Sequence, residues 1–196
     1  MFGVARWVFL ALWVLSGKGV FGGTWVALTE LRQGSRAEWR LEGLPATANP
    51  FDPDEMAVDA EFREPGGAIR RVPAFWYRPH RRELRGGREV VTSTGAGEWR
   101  VRYYPFAAGE HEVIVHAREN GEVAREVLRE RFATAAATEP VRGFVQVATD
   151  RQYFETRTPA GLKAPLALVG ADVCWHGARG TYDYDDWFPA MAASGS

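Results

Sequence analysis

The sequence has almost no cysteine, no excess of either charge, and no apolar run long enough to cross a membrane. Its single cysteine, Cys174, excludes an intrachain disulfide, so cysteine pairing says nothing about the compartment. A formal net charge of -1 creates no overall field for nucleic acid or for an anionic membrane. We therefore expect neither as a partner. Internal repeats and heptad patterns are absent as well, which excludes a repeat protein and a coiled coil.

What the sequence does have is enough apolar material for a packed core. Apolar residues make up 46% and aromatic residues 13% of the chain, including 8 tryptophans. This composition argues against disorder. The length of 196 residues leaves room for one domain, or for one domain and a fragment of another.

The N-terminus has the pattern of a secretory signal. A short basic lead, Met1–Arg6, precedes the apolar run Trp7–Leu15, which is much shorter than the roughly 20 residues that a spanning helix needs. Gly17 and Gly19 supply the small side chains that a signal peptidase reads. Residues 1–23 are therefore predicted to be a cleaved signal peptide of a secreted or periplasmic protein, with no membrane contact after cleavage. The alternative is an uncleaved segment that anchors the protein to a membrane.

From residue 24 to about residue 132, apolar and polar residues alternate as they do in antiparallel strands. Alternating apolar positions occur at Met56, Val58, Ala60 and Phe62, and again at Trp99, Val101 and Tyr103. Turn residues separate these segments, and Asn120-Gly121 is typical of a type I′ hairpin. The close spacing of strands and turns predicts a mainly β fold, an immunoglobulin-like antiparallel β-sandwich over residues 24–138.

One segment of the sandwich is ambiguous. Glu122–Phe132 is rich in Glu, Arg, Ala and Leu, which are good helix formers. Its position directly after the Asn-Gly turn favours a strand instead, because a hairpin turn returns the chain along the strand before it. We predict a strand.

Residues 139–196 have a different pattern. A small-residue linker that ends at Pro140 is followed by a predicted hairpin around Asp150-Arg151. A short apolar strand then runs from Leu166 to Trp175, and a polar loop leads to a helix that begins near Tyr184. A single strand–helix unit of this kind cannot bury itself, so it is expected to open a larger α/β fold.

Several of these segments resemble a known family. Asn49-Pro-Phe-Asp52, Phe75-Trp-Tyr77 and Glu98-Trp-Arg-Val-Arg-Tyr-Tyr-Pro105 resemble the β-sandwich domain of unknown function numbered 5060. That domain precedes the catalytic barrel in secreted cellulase-like glycoside hydrolases. The run from Gly170 to Ala193, with Cys-Trp-His-Gly and Tyr-Asp-Asp-Trp-Phe, resembles the first strand, loop and helix of those barrels.

The resemblance implies a non-catalytic N-terminal accessory domain of a secreted glycoside hydrolase that acts on a polysaccharide or oligosaccharide. Residues 139–196 would then be a linker, a hairpin and the first βα unit of a truncated (β/α)₈ barrel. The family's catalytic glutamates lie on the fourth and seventh strands, beyond Ser196, so the chain is expected to have no catalytic residue and to be inactive alone. The alternatives are a free-standing carbohydrate-binding module and a purely structural module.

Two pairs of residues are candidates for sugar contacts. Trp175 and His176 end the first barrel strand, where the resemblance places substrate-lining residues of the intact enzyme, although ordinary packing explains them almost as well. Trp76 and Tyr77 are adjacent in a strand, so they point to opposite faces, and one of them is expected to be exposed. An exposed ring beside the arginine-rich stretch would be a candidate sugar-stacking platform. No metal and no cofactor are expected.

The charges that the chain does carry cluster in an arginine-rich stretch, residues 70–88. Its basic residues are Arg70, Arg71, Arg78, His80, Arg81, Arg82, Arg85 and Arg88. This stretch interrupts the pattern of the family, and we interpret it as a solvated hairpin. A surface that binds anions or an acidic polysaccharide is the alternative.

Overall fold

The computed structural model of the protein describes residues 23–44, 47–141, 143–158, 160–167, 173 and 175–194. Within these residues the chain forms thirteen strands and one helix. In chain order they are β1 Thr24–Ala27, β2 Ala37–Glu42, β3 Met56–Arg63, β4 Ile69–Pro73, β5 Phe75–Tyr77, β6 His80–Arg85, β7 Arg88–Ser93, β8 Glu98–Tyr103, β9 Gly109–Glu119, β10 Arg125–Thr134, β11 Phe144–Val147, β12 Phe154–Arg157, β13 Lys163–Leu166 and α1 Tyr182–Ser194. The prediction of a mainly β chain is confirmed.

Four antiparallel strands form the first sheet, in the order β1-β2-β8-β5. Its inward face carries Trp39 on β2, and Trp99, Val101 and Tyr103 on β8, all of them buried. The alternation of residues on β8 predicted this inward face, and the prediction is confirmed. The edge strand β5 pairs with β8 so that Trp76 lies opposite Trp99.

The second sheet is also antiparallel, in the order β10-β9-β3-β4. The predicted apolar positions of β3, from Met56 to Phe62, are buried. The ambiguous segment after the Asn120-Gly121 turn is a strand, β10, which pairs with β9. Pairing with β9 satisfies the backbone donors and acceptors of β10 and outweighs its modest helix propensity. Both turn residues have the positive φ that a type I′ turn requires.

The chain crosses from one sheet to the other at Ala74. The sequence predicts one continuous return segment from Ile69 to Tyr77, but the structure divides it into β4 in the second sheet and β5 in the first. Pro73 ends β4, and a proline has no N–H with which to extend the ladder. The break places Phe75, Trp76 and Tyr77 at the edge of the first sheet.

The two sheets share one apolar core. Phe62 of the second sheet stacks on Tyr103 of the first, with ring centroids 4.0 Å apart and planes within 4° of each other. Trp39 of the first sheet contacts Phe62 at 5.7 Å and Phe132 of β10 at 5.1 Å. Aromatic residues from both sheets therefore form the centre of the core.

Two smaller units lie outside these sheets. β6 and β7 pair as a hairpin that begins within the arginine-rich stretch, and its turn residues Gly86 and Gly87 both have positive φ. β11, β12 and β13 form a third antiparallel sheet, which confirms the predicted hairpin around Asp150-Arg151. Phe144 of this third sheet contacts the chain just after β8, since its ring lies 4.7 Å from that of Tyr104.

The structure describes only part of the predicted strand–helix unit at the C-terminal end of the sequence. The predicted helix is present as α1, although it begins at Tyr182 rather than near Tyr184. Most of the predicted strand from Leu166 to Trp175 lies outside the described residues, and so does the predicted signal peptide except for Gly23. No helix in the described ranges is both long and apolar enough to cross a membrane.

Candidate functional site

Trp76, one of the predicted sugar-binding residues, packs on the inner side of the first sheet. Its ring makes an edge contact with Trp99 at 5.5 Å and lies against the shared core. The ring also covers Gly97, where an added Cβ would come within 2.2 Å of the indole. Glycine at this position is therefore what allows Trp76 to lie close to the sheet.

Tyr77 lies on the opposite face, as the alternation predicts, but its ring is not open. The Arg100 guanidinium lies 3.5 Å from the centroid of the Tyr77 ring, and Arg102 covers Phe75 in the same way at 4.5 Å. These are cation–π contacts between strands β8 and β5. Both Trp76 and Tyr77 are half-buried, so the expectation that one of the two is exposed is not met.

A buried carboxylate organises the arginines that cover these rings. Glu38 on β2 is 4% exposed and accepts hydrogen bonds from Arg100 Nη1 at 2.8 Å and from Arg102 Nε at 2.7 Å. Burial alone would raise the pKa of Glu38, but the hydrogen bonds and charges of Arg102 and Arg100 outweigh burial and lower that pKa. The outer face of the first sheet is thus an ionic network stacked on aromatic rings.

The different positions of Trp76 and Tyr77 predict different costs of truncation. We expect Trp76→Ala to lower the free energy of unfolding by about 1–3 kcal/mol, because it removes a large, partly buried ring from the core. Tyr77→Ala, the control from the same strand, is expected to cost about 1 kcal/mol or less, because it removes mainly a cation–π contact. Urea denaturation checks both values. A larger cost for Tyr77→Ala than for Trp76→Ala would contradict the inward packing of Trp76.

The second predicted pair, Trp175 and His176, lies just before α1. Trp175 is 87% exposed and borders an open apolar cavity of about 480 Å³ together with Trp187 and Met191 of α1. The imidazole of His176 makes an edge contact with Tyr184 at 6.0 Å. The structure therefore brings both residues against α1, and within the described residues neither contacts Trp76 or Tyr77.

The β6–β7 hairpin holds the loop that leads into α1, a contact that the sequence did not indicate. Arg82 donates to Thr181 Oγ1 at 2.8 Å and to Asp185 Oδ2 at 2.7 Å, and its guanidinium lies 4.4 Å from the centroid of the Tyr182 ring. Glu89 accepts the backbone N–H of Thr181 at 2.8 Å. The hydrogen bonds of Thr181 lower the pKa of Glu89, which keeps its carboxylate charged.

Gly180 makes this contact possible. It has a φ of 61°, and an added Cβ would lie 2.0 Å from a Glu89 carboxylate oxygen. Asp183 caps the same loop by accepting the backbone N–H of Gly177 at 2.6 Å, and Arg179 pairs with Asp186 at 2.7 Å. The acidic residues at the start of α1 thus bind the preceding loop and two arginines, Arg82 and Arg179, and their charges complement the helix dipole.

Apart from this contact, most side chains of the hairpin are exposed, as the interpretation of a solvated hairpin predicts. Arg85 pairs with Glu83 inside the hairpin, whereas Arg88 makes no side-chain hydrogen bond or ion pair within the described residues. Across those same residues, no group of three or more His, Cys, Asp or Glu side chains converges as a metal site would require.

Comparison with known protein families gives a match for one region of the chain. Residues 30–118 match the model of a family described as Domain of unknown function (DUF5060). The match covers β2 to β8 and most of β9, including the β6–β7 hairpin, and it supports the resemblance of this region to that domain of unknown function. No curated protein and no solved structure gives a significant match.

Proposed function

We propose that this chain is the non-catalytic accessory domain of a secreted glycoside hydrolase that acts on polysaccharide. In this proposal residues 24–138 form an immunoglobulin-like β-sandwich that supports the segment after it. Residues 139–196 are a linker, a hairpin and the first βα unit of a (β/α)₈ barrel. The match to the domain of unknown function supports the first part, and the resemblance of Gly170–Ala193 to the start of such barrels supports the second.

The strand order supports the immunoglobulin-like assignment. Immunoglobulin constant domains place strands A, B, E and D in one sheet and C, F and G in the other. When the β6–β7 hairpin is left out, the remaining strands β1, β2, β3, β4, β5, β8, β9 and β10 correspond in chain order to A, B, C, C′, D, E, F and G. The first sheet then has the order A-B-E-D, and the second has the order G-F-C-C′. The hairpin then occupies the connection between strands D and E.

The contact between the hairpin and the loop before α1 is the observation that carries the proposal. Arg82 and Glu89 lie inside the matched segment 30–118, whereas Thr181 and Asp185 lie in the region that resembles the first βα unit. One unit therefore holds the other through four polar side chains. A hairpin that exists only to be solvated would not require this arrangement.

The helix itself supports the second part of the proposal, the first βα unit of a barrel. α1 has no buried residue within the described part of the chain, yet it carries three aromatic rings: Tyr184 stacks on Phe188 and makes an edge contact with Trp187. A larger α/β fold buries a helix face of this kind against its sheet. In the intact enzyme the exposed ring of Trp175 would be available to the apolar face of a sugar, and His176 to its hydroxyl groups.

Glu89→Gln tests the supporting role. The amide is a weaker acceptor than the carboxylate, so we expect the backbone amide of Thr181 to exchange its hydrogen about three to ten times faster. Arg82→Gln is also expected to speed this exchange, because it loses the hydrogen bonds to Thr181 and Asp185. Hydrogen exchange of the full chain, followed by mass spectrometry of peptides from residues 178–186, measures this change.

Arg85→Gln is the matched control, because it breaks only the pair with Glu83 inside the same hairpin. It should leave exchange in residues 178–186 unchanged. Equal exchange in all three variants and the wild type would contradict the supporting role. Release of reducing sugar from xylan or carboxymethyl cellulose by this 196-residue chain would contradict the non-catalytic assignment, since glycosidic cleavage requires two carboxyl groups placed across the bond.

A further inference from the structure

Two adjoining cavities lie where the third sheet meets the edge strand β4 of the second sheet and the end of β8 in the first. Their volumes are about 410 Å³ and 380 Å³, and they share Arg70, Phe106 and Phe144 as lining residues. We call their combined space the arginine cleft. It is also lined by Arg36 on one side and by Arg157 on the other, whereas no aspartate or glutamate of the described residues lines either cavity.

Arg70 is held in a fixed position at the centre of the cleft. Its Nε donates to Glu64 Oε1 at 2.7 Å, and the same oxygen accepts the hydroxyl of Tyr103 at 2.7 Å. Glu64 and Tyr103 are both buried, and the Arg70 guanidinium stacks 3.8 Å from the centroid of the Phe106 ring. Because this bond uses only Nε, both Nη groups of Arg70 can donate to a ligand as a planar fork.

The other two arginines add further positive charge to the cleft. The side chains of Arg36 and Arg157 make no hydrogen bond or ion pair with the described residues. Arg71 and Arg102 also border the cleft, but each is already paired, with Glu61 and Glu38 respectively. The cleft therefore has an excess of positive charge, although the chain as a whole has a net charge of -1.

Aromatic rings form the remaining wall. Phe144 is 46% exposed, and its ring lies 5.4 Å from that of Phe106 and 4.7 Å from that of Tyr104. The C–H groups on one face of a sugar ring pack favourably on an aromatic face of this kind. An inorganic anion would use the arginines but not these rings, whereas a charged sugar would use both.

We propose that the arginine cleft binds an acidic oligosaccharide. Arg70, Arg36 and Arg157 contact its carboxylate or sulfate groups, and a sugar ring packs against Phe144. The volume of each cavity suits one or two sugar units, within the range of ordinary ligand sites. This proposal goes beyond the supporting role of the sandwich, because the β6–β7 hairpin takes no part in it.

Calorimetric titration of the full chain with four probes tests the proposal. The probes are tetragalacturonate for a carboxylate, a sulfated carrageenan tetrasaccharide for a sulfate, cellotetraose as the neutral control, and a short single-stranded DNA. We expect one or both acidic sugars to bind, with an affinity that falls as salt rises, and cellotetraose to bind at least tenfold more weakly. Equal binding of cellotetraose, tighter binding of the DNA, or no binding of either acidic sugar would overturn the proposal.

Substitutions test whether the acidic sugar binds in the arginine cleft. Arg36→Gln and Arg157→Gln should each weaken the acidic sugar at least fivefold without loss of folding, since neither side chain has a partner in the described chain. Arg70→Lys should weaken it to a similar degree, because lysine retains the charge but loses the planar fork. Arg88→Gln is the matched control: it removes the same charge from the β6–β7 hairpin and should leave affinity unchanged. Unaltered affinity in the cleft variants, or an equal loss in Arg88→Gln, would refute the assignment.

Discussion

Phe62→Ala is expected to lower the free energy of unfolding by about 3–5 kcal/mol, a large part of the 5–15 kcal/mol that stabilises an ordinary domain. Phe62 is fully buried and contacts aromatic rings that belong to both sheets. Removing its ring leaves a cavity that neither sheet can fill without moving away from the other. Urea denaturation followed by tryptophan fluorescence measures the loss.

Phe51→Ala is the matched control for this experiment. Phe51 is the same residue type in the turn before β3, but it is 64% exposed. Its removal should change the free energy of unfolding by about 0.5 kcal/mol or less. If the two substitutions cost the same, Phe62 does not join the two sheets into one core.

The strands of the first two sheets were predictable from the sequence because burial follows the alternation of residues. A strand with one buried face has a period of two, and β3 and β8 show it clearly. The crossing at Ala74 was not predictable, because the pattern from Ile69 to Tyr77 remains compatible with a single strand. Which sheet a strand joins depends on partners that are distant in sequence, and one chain viewed alone does not reveal them.

The candidate sites were less predictable for a related reason. Alternation indicated correctly that Trp76 and Tyr77 point to opposite faces, but not that Arg100 covers the ring of Tyr77. Similarly, Arg82 and Asp185 are 103 residues apart, and no motif links them. The chain's own side chains compete with ligands for arginines and aromatic rings, and only the three-dimensional arrangement shows which of them are already occupied.

The preference for arginine over lysine has a clear structural role in this protein. Lys18 and Lys163 are the only lysines among 24 basic residues. Four arginines stack on aromatic rings in the described structure: Arg70 on Phe106, Arg82 on Tyr182, Arg100 on Tyr77 and Arg102 on Phe75. A planar guanidinium can stack on a ring and bind a carboxylate at its edge at the same time, whereas an ammonium group cannot. Arginine therefore serves both the packing of the sheets and the contact with the loop before α1.

Glu38→Gln is expected to lower the free energy of unfolding at pH 7 by about 1.5–3 kcal/mol, because Glu38 receives two charge-assisted hydrogen bonds in a buried position. The pKa of Glu38 is lowered in the folded state relative to its ordinary value of 4.5. A group with a lowered folded-state pKa contributes stability above its unfolded-state pKa and loses it as the pH falls through the folded-state value. The difference between wild type and Glu38→Gln should therefore be complete at pH 7 and shrink progressively below about pH 4.5.

Urea denaturation at a series of pH values from 7 down to 3 measures this difference directly. Glu122→Gln is the control, because the exposed side chain of Glu122 makes no hydrogen bond or ion pair within the described residues. Its stability should stay close to that of the wild type at every pH. If Glu38→Gln differs from the wild type by the same amount at pH 3 as at pH 7, the cost of the substitution comes from packing. In that case the ionic bonds from Arg100 and Arg102 are not what stabilises the outer face of the first sheet.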